Sequence, residues 1–534
     1  MSNTQPDDPS SGLTRAVVAV AAGIAGLLGS YGAVGFAPGF VVAPVERTLS
    51  QVMPGQVVAL TITVLGDLGQ QLNLVAATGL VVTGYALLVG LVLVAGRRAD
   101  NSVVVLAGAP AAVWAVTAAV TGRPVASLGA AAGVAVVVAV VTLARADVDG
   151  GVDASGRRSV LSAVAAAAGV SAVGLAFGRD SGSTTGGSTG GDGGGGLDAA
   201  PGRGQVNDAV YGGVETPTFE VDDLLAAAEE RTLDVGGAEP LVSRSFYNVD
   251  ISSVDPEPDA AEWTLSVTGE VEESFELDYG DLRDREFVHQ FSTLRCVGES
   301  LNGRKTDTAL WSGVPLAPLI ERASPNGDCD CVLLRADDDY FQEFPVEALE
   351  SGMLVLGMNG GPLPRAHGAP VRALIPGHWG EINVKWITEI EFLDEAQKGY
   401  WEQRGWHGTG PVKTVAKLHA TTRTDDGQLL VGGHAYAGLR GIEAVEVSTD
   451  GGDTWSEAEL SEPLPGASGA VDEPPERAAD AWRQWRYTYD ADAEHEAVVR
   501  ARERTGELQT ETETGKFPSG PSGWVSREID PDAV

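Results

Sequence analysis

The sequence predicts three successive parts: N-terminal transmembrane α-helices, an α+β domain, and a C-terminal β-sandwich of immunoglobulin type. Three observations predict this. Five apolar stretches fill the first 177 residues, a Gly- and Ser-rich run follows them, and beyond about Val412 helical periodicity gives way to short strands between turn signals. The expected boundaries are 1–177 for the membrane anchor, 178–204 for the linker, 205–405 for the α+β domain and 411–534 for the sandwich.

The apolar stretches lie near 15–36, 72–96, 102–121, 124–144 and 159–177. Each is about long enough to cross a hydrocarbon layer of ~30 Å, and in lipid such segments must be helical to satisfy their own backbone. With the N-terminus inside, Arg15, Arg97, Arg98, Arg145, Arg157 and Arg158 are cytoplasmic, against Arg47, Arg123 and Arg179 outside. Five spans then make this a multi-pass protein of the cell membrane with everything after residue 180 on the extracellular side. Segment 37–71 is broken by Pro38, Pro44, Pro54 and Gly55, and is expected as an external loop or interfacial piece. A sixth span there would invert the downstream topology. Arg157-Arg158 before the fifth span reads either as a twin-arginine export signal or as positive-inside flanking. No His precedes His289, so the spans cannot supply paired axial ligands to a membrane haem, and the anchor is expected to be a tether.

Residues 201–534 carry −36 of the net −38 charges. Such a surface repels phosphate backbones and excludes nucleic acid as a partner; it also repels anionic lipid headgroups, leaving the bilayer as a partner of the anchor alone. The six Lys all lie at or beyond Lys305. Scarce Lys with abundant carboxylates suggests a halophilic protein whose self-repulsion is screened by salt, against the plainer reading of an ordinary acidic protein. Of three cysteines, Cys329 and Cys331 stand two apart, where a disulfide would close a strained small ring. They are expected as small apolar residues at a strand start, or as a reactive dithiol. Cys296 is left over.

In the α+β part, Trp263 to Val267 alternates as a strand, and Val314 to Arg322 and Val346 to Ser351 read as short helices. In the sandwich, strands are expected at Val415 to Thr422, Leu429 to Tyr436, Ile442 to Ser448, Arg486 to Tyr489 and Glu496 to Arg502.

Phe291 to Glu299, with Arg295-Cys296 inside it, followed by Trp311-Ser312-Gly313-Val314-Pro315-Leu316, resembles the cysteine segment of the sulfite oxidase family. Three further blocks resemble it in order. Ser245-Phe246-Tyr247-Asn248-Val249-Asp250 is similar to the entry segment. His367 to Arg372 followed by Gly380 to Trp386 is similar to the pterin and phosphate block. Gly438-Leu439-Arg440-Gly441 through Trp485 is similar to the dimerisation domain.

The resemblance covers about residues 240–525 and implies a sulfite-oxidase-type molybdopterin domain holding molybdenum with molybdopterin. It implies that Cys296 ligates the metal and that the Trp311 run begins a helix. It also implies that Arg244, Phe246, Tyr247, Asn248, Cys296, His367, Arg372, Asn383, Val384 and Lys385 bind the cofactor, and that Arg440 and Arg304 hold the substrate. A soft thiolate suits such a metal, and Arg295 beside it would favour the deprotonated sulfur. Arg372 as a fork and Lys385 as a point charge suit a phosphate. Each also has a structural reading: core for Phe246 and Tyr247, a surface charge for Arg244, a loop donor for His367, ion-pair partners for Arg372 and Lys385.

Two positions depart from the family pattern. Leu301 stands where an arginine is expected, and Trp406 where a tyrosine is expected. The implied function is two-electron oxygen-atom transfer at a Cys-ligated molybdenum centre, with sulfite or a related small sulfur compound or oxyanion as substrate. The alternatives are reduction of a sulfoxide or other S- or N-oxide, and a non-catalytic tethered sandwich protein. No haem domain is evident, so a separate carrier (a cytochrome, a copper protein or a quinone-linked one) is implied, together with a homodimer through the C-terminal domain.

Overall fold

The computed structural model describes residues 9–61, 67–146, 165, 167, 169, 207–469 and 477–534. It divides into two compact units. The first contains the apolar helices Pro9–Val34, Asp67–Arg98, Ser102–Thr121 and Leu128–Ala146, with the shorter Val42–Val52. Three of them, over Gly12–Val34, Gln71–Arg98 and Ser102–Thr121, are long and apolar enough to cross a membrane; Leu128–Leu143 is a shorter apolar run. The fifth expected span, the Arg157-Arg158 pair and the Gly-rich linker lie outside the described residues, apart from three isolated positions. The segment at 37–71 is more helical than its prolines suggest, with Val42–Val52 and Gly55–Leu60. Pro54 stands at the N-cap of the second helix, where its missing N–H costs nothing.

Small residues let the apolar helices approach closely. A Cβ on Gly29 would lie 2.2 Å from the Gly129 carbonyl oxygen, and one on Gly133 would lie 2.0 Å from that of Ala25. Close van der Waals packing of this kind is what associates apolar helices where the hydrophobic effect does not act between them, as it does not in lipid. Around it Val18, Ala22, Val134 and Val137 are buried, and Tyr85 shares a hydroxyl hydrogen bond with Thr117 at 2.5 Å.

The second unit begins with two sheets. One runs in the order Phe275–Asp278, Thr264–Gly269, Ile387–Leu393, Cys331–Ala336, Phe341–Pro345, antiparallel except where Thr264–Gly269 meets Ile387–Leu393. The other centres on Val288–Arg295, Thr306–Pro315 and Met353–Met358. Between and around them lies one core of aliphatic and Trp side chains, including Leu265, Leu294, Trp311, Leu334, Leu354 and Ile390.

Beyond residue 412 two more sheets share a core. The first holds Leu429–Tyr436 and Arg483–Tyr489; the second holds Ile442–Ser448, His495–Glu503 and Val525–Ile529. Val431, Trp485, Val445, Val447, Val499 and Ala501 fill the space between. The expected strand Val415 to Thr422 is two pieces, Val415–Ala416 and Ala420–Arg423, both paired to Leu429–Tyr436. Ser468–Gly469 leaves these sheets and pairs with His289 and Val288.

Two expectations are corrected. Trp311 to Pro315 end the strand Thr306–Pro315 rather than beginning a helix, which starts at Ala317. Trp311 to Val314 are buried and Val314 is paired to Leu354, so sheet pairing and burial make this run a strand end. Cys329 and Cys331 are joined as a disulfide, not held as two separate thiols, because Asp330 at a positive φ of 48° turns the chain tightly enough to bring them together.

Candidate functional site

Cys296 follows directly on the buried strand Val288–Arg295 and is the free cysteine. Its amide donates to the Lys305 carbonyl at 3.0 Å, and its own carbonyl accepts from Glu299 at 3.3 Å, so the sulfur sits on a tight turn at the end of a rigid strand. Burial pushes the thiol up. The Gly298 amide and the Lys305 charge pull it down, and Glu299 and Glu381 add to the rise.

Arg295 does not activate this thiol. Its side chain is fully enclosed, with Nε 2.6 Å from Glu299, Nη1 donating to the Lys413 carbonyl at 2.7 Å and the guanidinium 4.8 Å from the Trp379 ring. The guanidinium is taken up by Glu299 and the Lys413 carbonyl, so adjacency in sequence does not bring this charge to the sulfur. Lys305 takes that place.

Several expected cofactor residues converge near Cys296. Tyr247 donates its amide to Asp307 at 2.8 Å, and its phenol is held far above its ordinary value by burial, with the Cys296 and Asp307 charges adding to it. Phe246 stacks on Tyr247 at 5.5 Å and presents edges to Trp311 and His367, both at 5.4 Å. Arg372 lies 5.2 Å from the Trp311 ring and donates to the carbonyls of His367 at 3.1 Å and Asn383 at 2.9 Å. Lys385 donates to Asn248 at 2.6 Å and to the Ala366 carbonyl at 2.9 Å. Gly368, at a φ of 106°, sits so close to Arg372 and Lys385 that a Cβ would lie 3.0 Å from each. His367 is buried, and its imidazole is kept neutral by that burial and by the Lys385 and Arg372 charges.

Asn383 and Val384 have structural work: Asn383 accepts from the Ile375 amide and donates to the Trp379 carbonyl, and the Val384 carbonyl accepts from Ala373. Three expected residues make their contacts with other partners. Arg244 is exposed, with its amide on Glu239. Arg304 is exposed, donates to the Gly237 carbonyl at 3.3 Å and acts electrostatically on His419 and His434. Arg440 is bound to Glu503 at 3.0 Å and to the Val412 carbonyl at 2.8 Å. Leu301 packs on the C-terminal core, and Trp406 is buried with its indole N–H unpartnered.

Three contributors were missed: Lys305, Glu381 and Glu402. In the sequence Lys305 is marked as the first lysine of an acidic chain, and Glu381 lies in the segment Gly380 to Trp386. Glu381 is buried, and burial with the facing Glu402 raises its carboxyl far above the ordinary range.

Residues 252–401 match the oxidoreductase molybdopterin binding domain, and residues 412–516 match the Mo-co oxidoreductase dimerisation domain. These two matches make residues 252–516 similar to the sulfite oxidase family of molybdopterin oxidoreductases. Mitochondrial sulfite oxidase of Rattus norvegicus is 31% identical over 27% of this chain and 29% of its own length. The uncharacterized oxidoreductase YuiH of Bacillus subtilis is 27% identical over 32% of this chain and 84% of its own. The aligned part thus spans under a third of the mammalian sulfite oxidase, whereas it covers most of YuiH. The crystal structure of sulfane dehydrogenase SoxCD from Paracoccus pantotrophus superposes with a TM-score of 0.45 at 20% identity, over 57% of this chain and 83% of that one.

The cofactor of this family's domain is molybdenum-molybdopterin. The donor set fits it: one free thiol on a rigid turn, a buried guanidinium and an ammonium eighteen residues or fewer from His367, and a neutral imidazole between them and the stacked Phe246.

Proposed function

We propose that this chain is a membrane-tethered molybdenum oxidoreductase that transfers one oxygen atom and two electrons at a centre held by Cys296. The observation that carries the proposal is the half-buried free thiol of Cys296 in a molybdopterin binding domain, with the Lys305 charge and the Tyr247 phenol acting on it. Molybdenum-molybdopterin supplies the oxygen-transfer and redox chemistry when bound. The chain's own residues do the rest. Lys305 favours the thiolate that a metal needs, Arg372 and Lys385 hold the anionic end of the pterin, and the Phe246-Tyr247 stack walls one side against water.

Sulfite or a related small sulfur compound is the substrate this reading favours, with Arg440 at its rim and a separate one-electron carrier as acceptor. The catalytic part lies outside the cell, the anchor's five spans end at 177, and the C-terminal immunoglobulin-like domain forms a homodimer. A second reading, reduction of a sulfoxide, is favoured by the neutralisation of Arg440 by Glu503 and by the exposure of Arg304, which donates to the Gly237 carbonyl. A neutral oxide needs no cationic clamp.

Metal analysis of the detergent-solubilised protein from its native host, followed by assay with sulfite and with sulfoxides in high salt, tests this. Molybdenum with sulfite-dependent turnover supports the first reading. Turnover with sulfoxides alone replaces it with the second, and absence of molybdenum removes both.

A further inference from the structure

The bridge between Cys329 and Cys331 adds little to the fold. It joins residues only 2 apart, and a disulfide constrains the unfolded chain least when the loop it closes is shortest. The backbone around it is already pinned. Cys331 pairs with Leu393 on one side and Pro345 on the other, the Asp330 carbonyl accepts from the Val346 amide at 2.9 Å, and the Asp328 amide donates to the Asp394 carboxylate at 3.2 Å. Opening the bridge would therefore leave the sheet in place.

Three features suit this bridge to opening and closing. Cys329 is half-buried while Cys331 is buried, so one sulfur is open to attack and the other is shielded. Asp330 between them is held at a φ of 48°, a left-handed conformation that an L side chain resists and that opening the bridge would release. Cys329 Sγ lies 3.3 Å from the Leu393 carbonyl oxygen, where its S–H would donate once reduced.

The surroundings select the thiol that can approach. Asp328, Asp330 and Asp394 are exposed carboxylates, and exposed Glu270 is brought alongside, its Cβ 3.2 Å from where a Cβ on Gly327 would stand. A field of that sign repels an anionic thiol and draws a cationic one. We propose that Cys329–Cys331 is a redox-active disulfide that exchanges two electrons with a dithiol carried on a basic peptide segment.

One thiolate of that dithiol attacks Cys329 Sγ. A mixed disulfide forms there, the bond to Cys331 breaks, and the Cys331 sulfur leaves with the electron pair and takes up the first proton. The second thiolate then attacks the partner's own sulfur in the mixed disulfide, and Cys329 leaves with the electron pair and takes up the second proton. The peptide ends as a disulfide, and this chain has gained its two electrons and two protons. Neither step uses Cys296, so the exchange stands or falls independently of the molybdenum reading.

The test uses the full-length, detergent-solubilised protein, with thiols trapped by maleimide and located by peptide mass. In buffers of reduced and oxidised glutathione the pair should open and reclose reversibly, with the unfolding temperature unchanged. A synthetic Lys-rich peptide carrying two cysteines should open it at least about fivefold faster than a Glu-rich counterpart at equal thiolate concentration. That ratio should shrink with added salt and in Asp330→Asn, since Asn keeps the left-handed turn without the charge. In Cys331→Ser the basic peptide should accumulate as a mixed disulfide on Cys329. A bridge that opens only when the protein unfolds, two cysteines isolated as thiols that an oxidised dithiol fails to close, or equal rates with the two peptides overturns the proposal. If Cys331→Ser fails to fold, the wild-type titration and the two peptide rates decide.

Discussion

The contrast between Cys296 and the Cys329–Cys331 pair comes from where each sits. Cys331 begins a sheet strand and is tied to Cys329, while Cys296 ends a strand on a turn that keeps its sulfur free. Replacing Cys296 with Ser should keep the fold and the pterin but abolish turnover, because a hard alkoxide replaces a soft ligand; kcat and metal content measured together check this. Lys305 sets the ease of forming the thiolate. Its charge lowers the thiol, so Lys305→Met should raise the thiol further and reduce the thiolate fraction at any given pH. Alkylation of Cys296 in cofactor-free protein should then shift to higher pH.

At the scale of elements, the strand carrying Cys296 is anchored to the C-terminal sheets by buried charge. Glu299 accepts from Lys417 with both oxygens at 2.8 Å while also pairing with Arg295, and Lys417 is only 2% exposed. Glu299→Ala would leave two buried cations without their counter-charge. Such losses cost about 3–5 kcal/mol, measurable as a lowered denaturation midpoint.

A second link joins Asp480 to Ser292 and to the Tyr436 hydroxyl, which is 2.6 Å away. Burial raises the Asp480 carboxyl from 3.8 to about 7. The folded state therefore holds a proton that the unfolded state has lost. The resulting stabilisation is complete below about pH 4 and is lost as pH rises through about 7. Asp480→Asn should flatten stability over that window, as read from unfolding midpoints against pH. Among the apolar helices, Gly133→Leu would drive a side chain into the Ala25 carbonyl; we expect a destabilisation of about 1–3 kcal/mol, seen as a lower unfolding temperature in detergent.

Across the whole molecule, charge and hydropathy dominate. With −36 charges on residues 201–534, self-repulsion should fall as salt is added, so the unfolding temperature should rise with ionic strength until the charges are screened. A midpoint independent of salt would show that the carboxylates are dispersed too widely to repel.

The sequence by itself determined the apolar helices, the two β-rich parts after them, the resemblance to the sulfite oxidase family and the candidate thiol. These follow from periodicity, composition and ordered motifs, which are properties of neighbours along the chain. It read the Trp311 run as a helix start and Arg295 as an activator of the thiol. Only tertiary structure decided otherwise: sheet pairing buries the run in a strand, and a buried ion pair holds Arg295 on Glu299. The same is true of Glu381 beside Glu402, of Lys305 beside Cys296 and of Arg440 held by Glu503. Which charge meets which depends on distances across the fold, and in a buried site those distances outweigh adjacency because water no longer screens them.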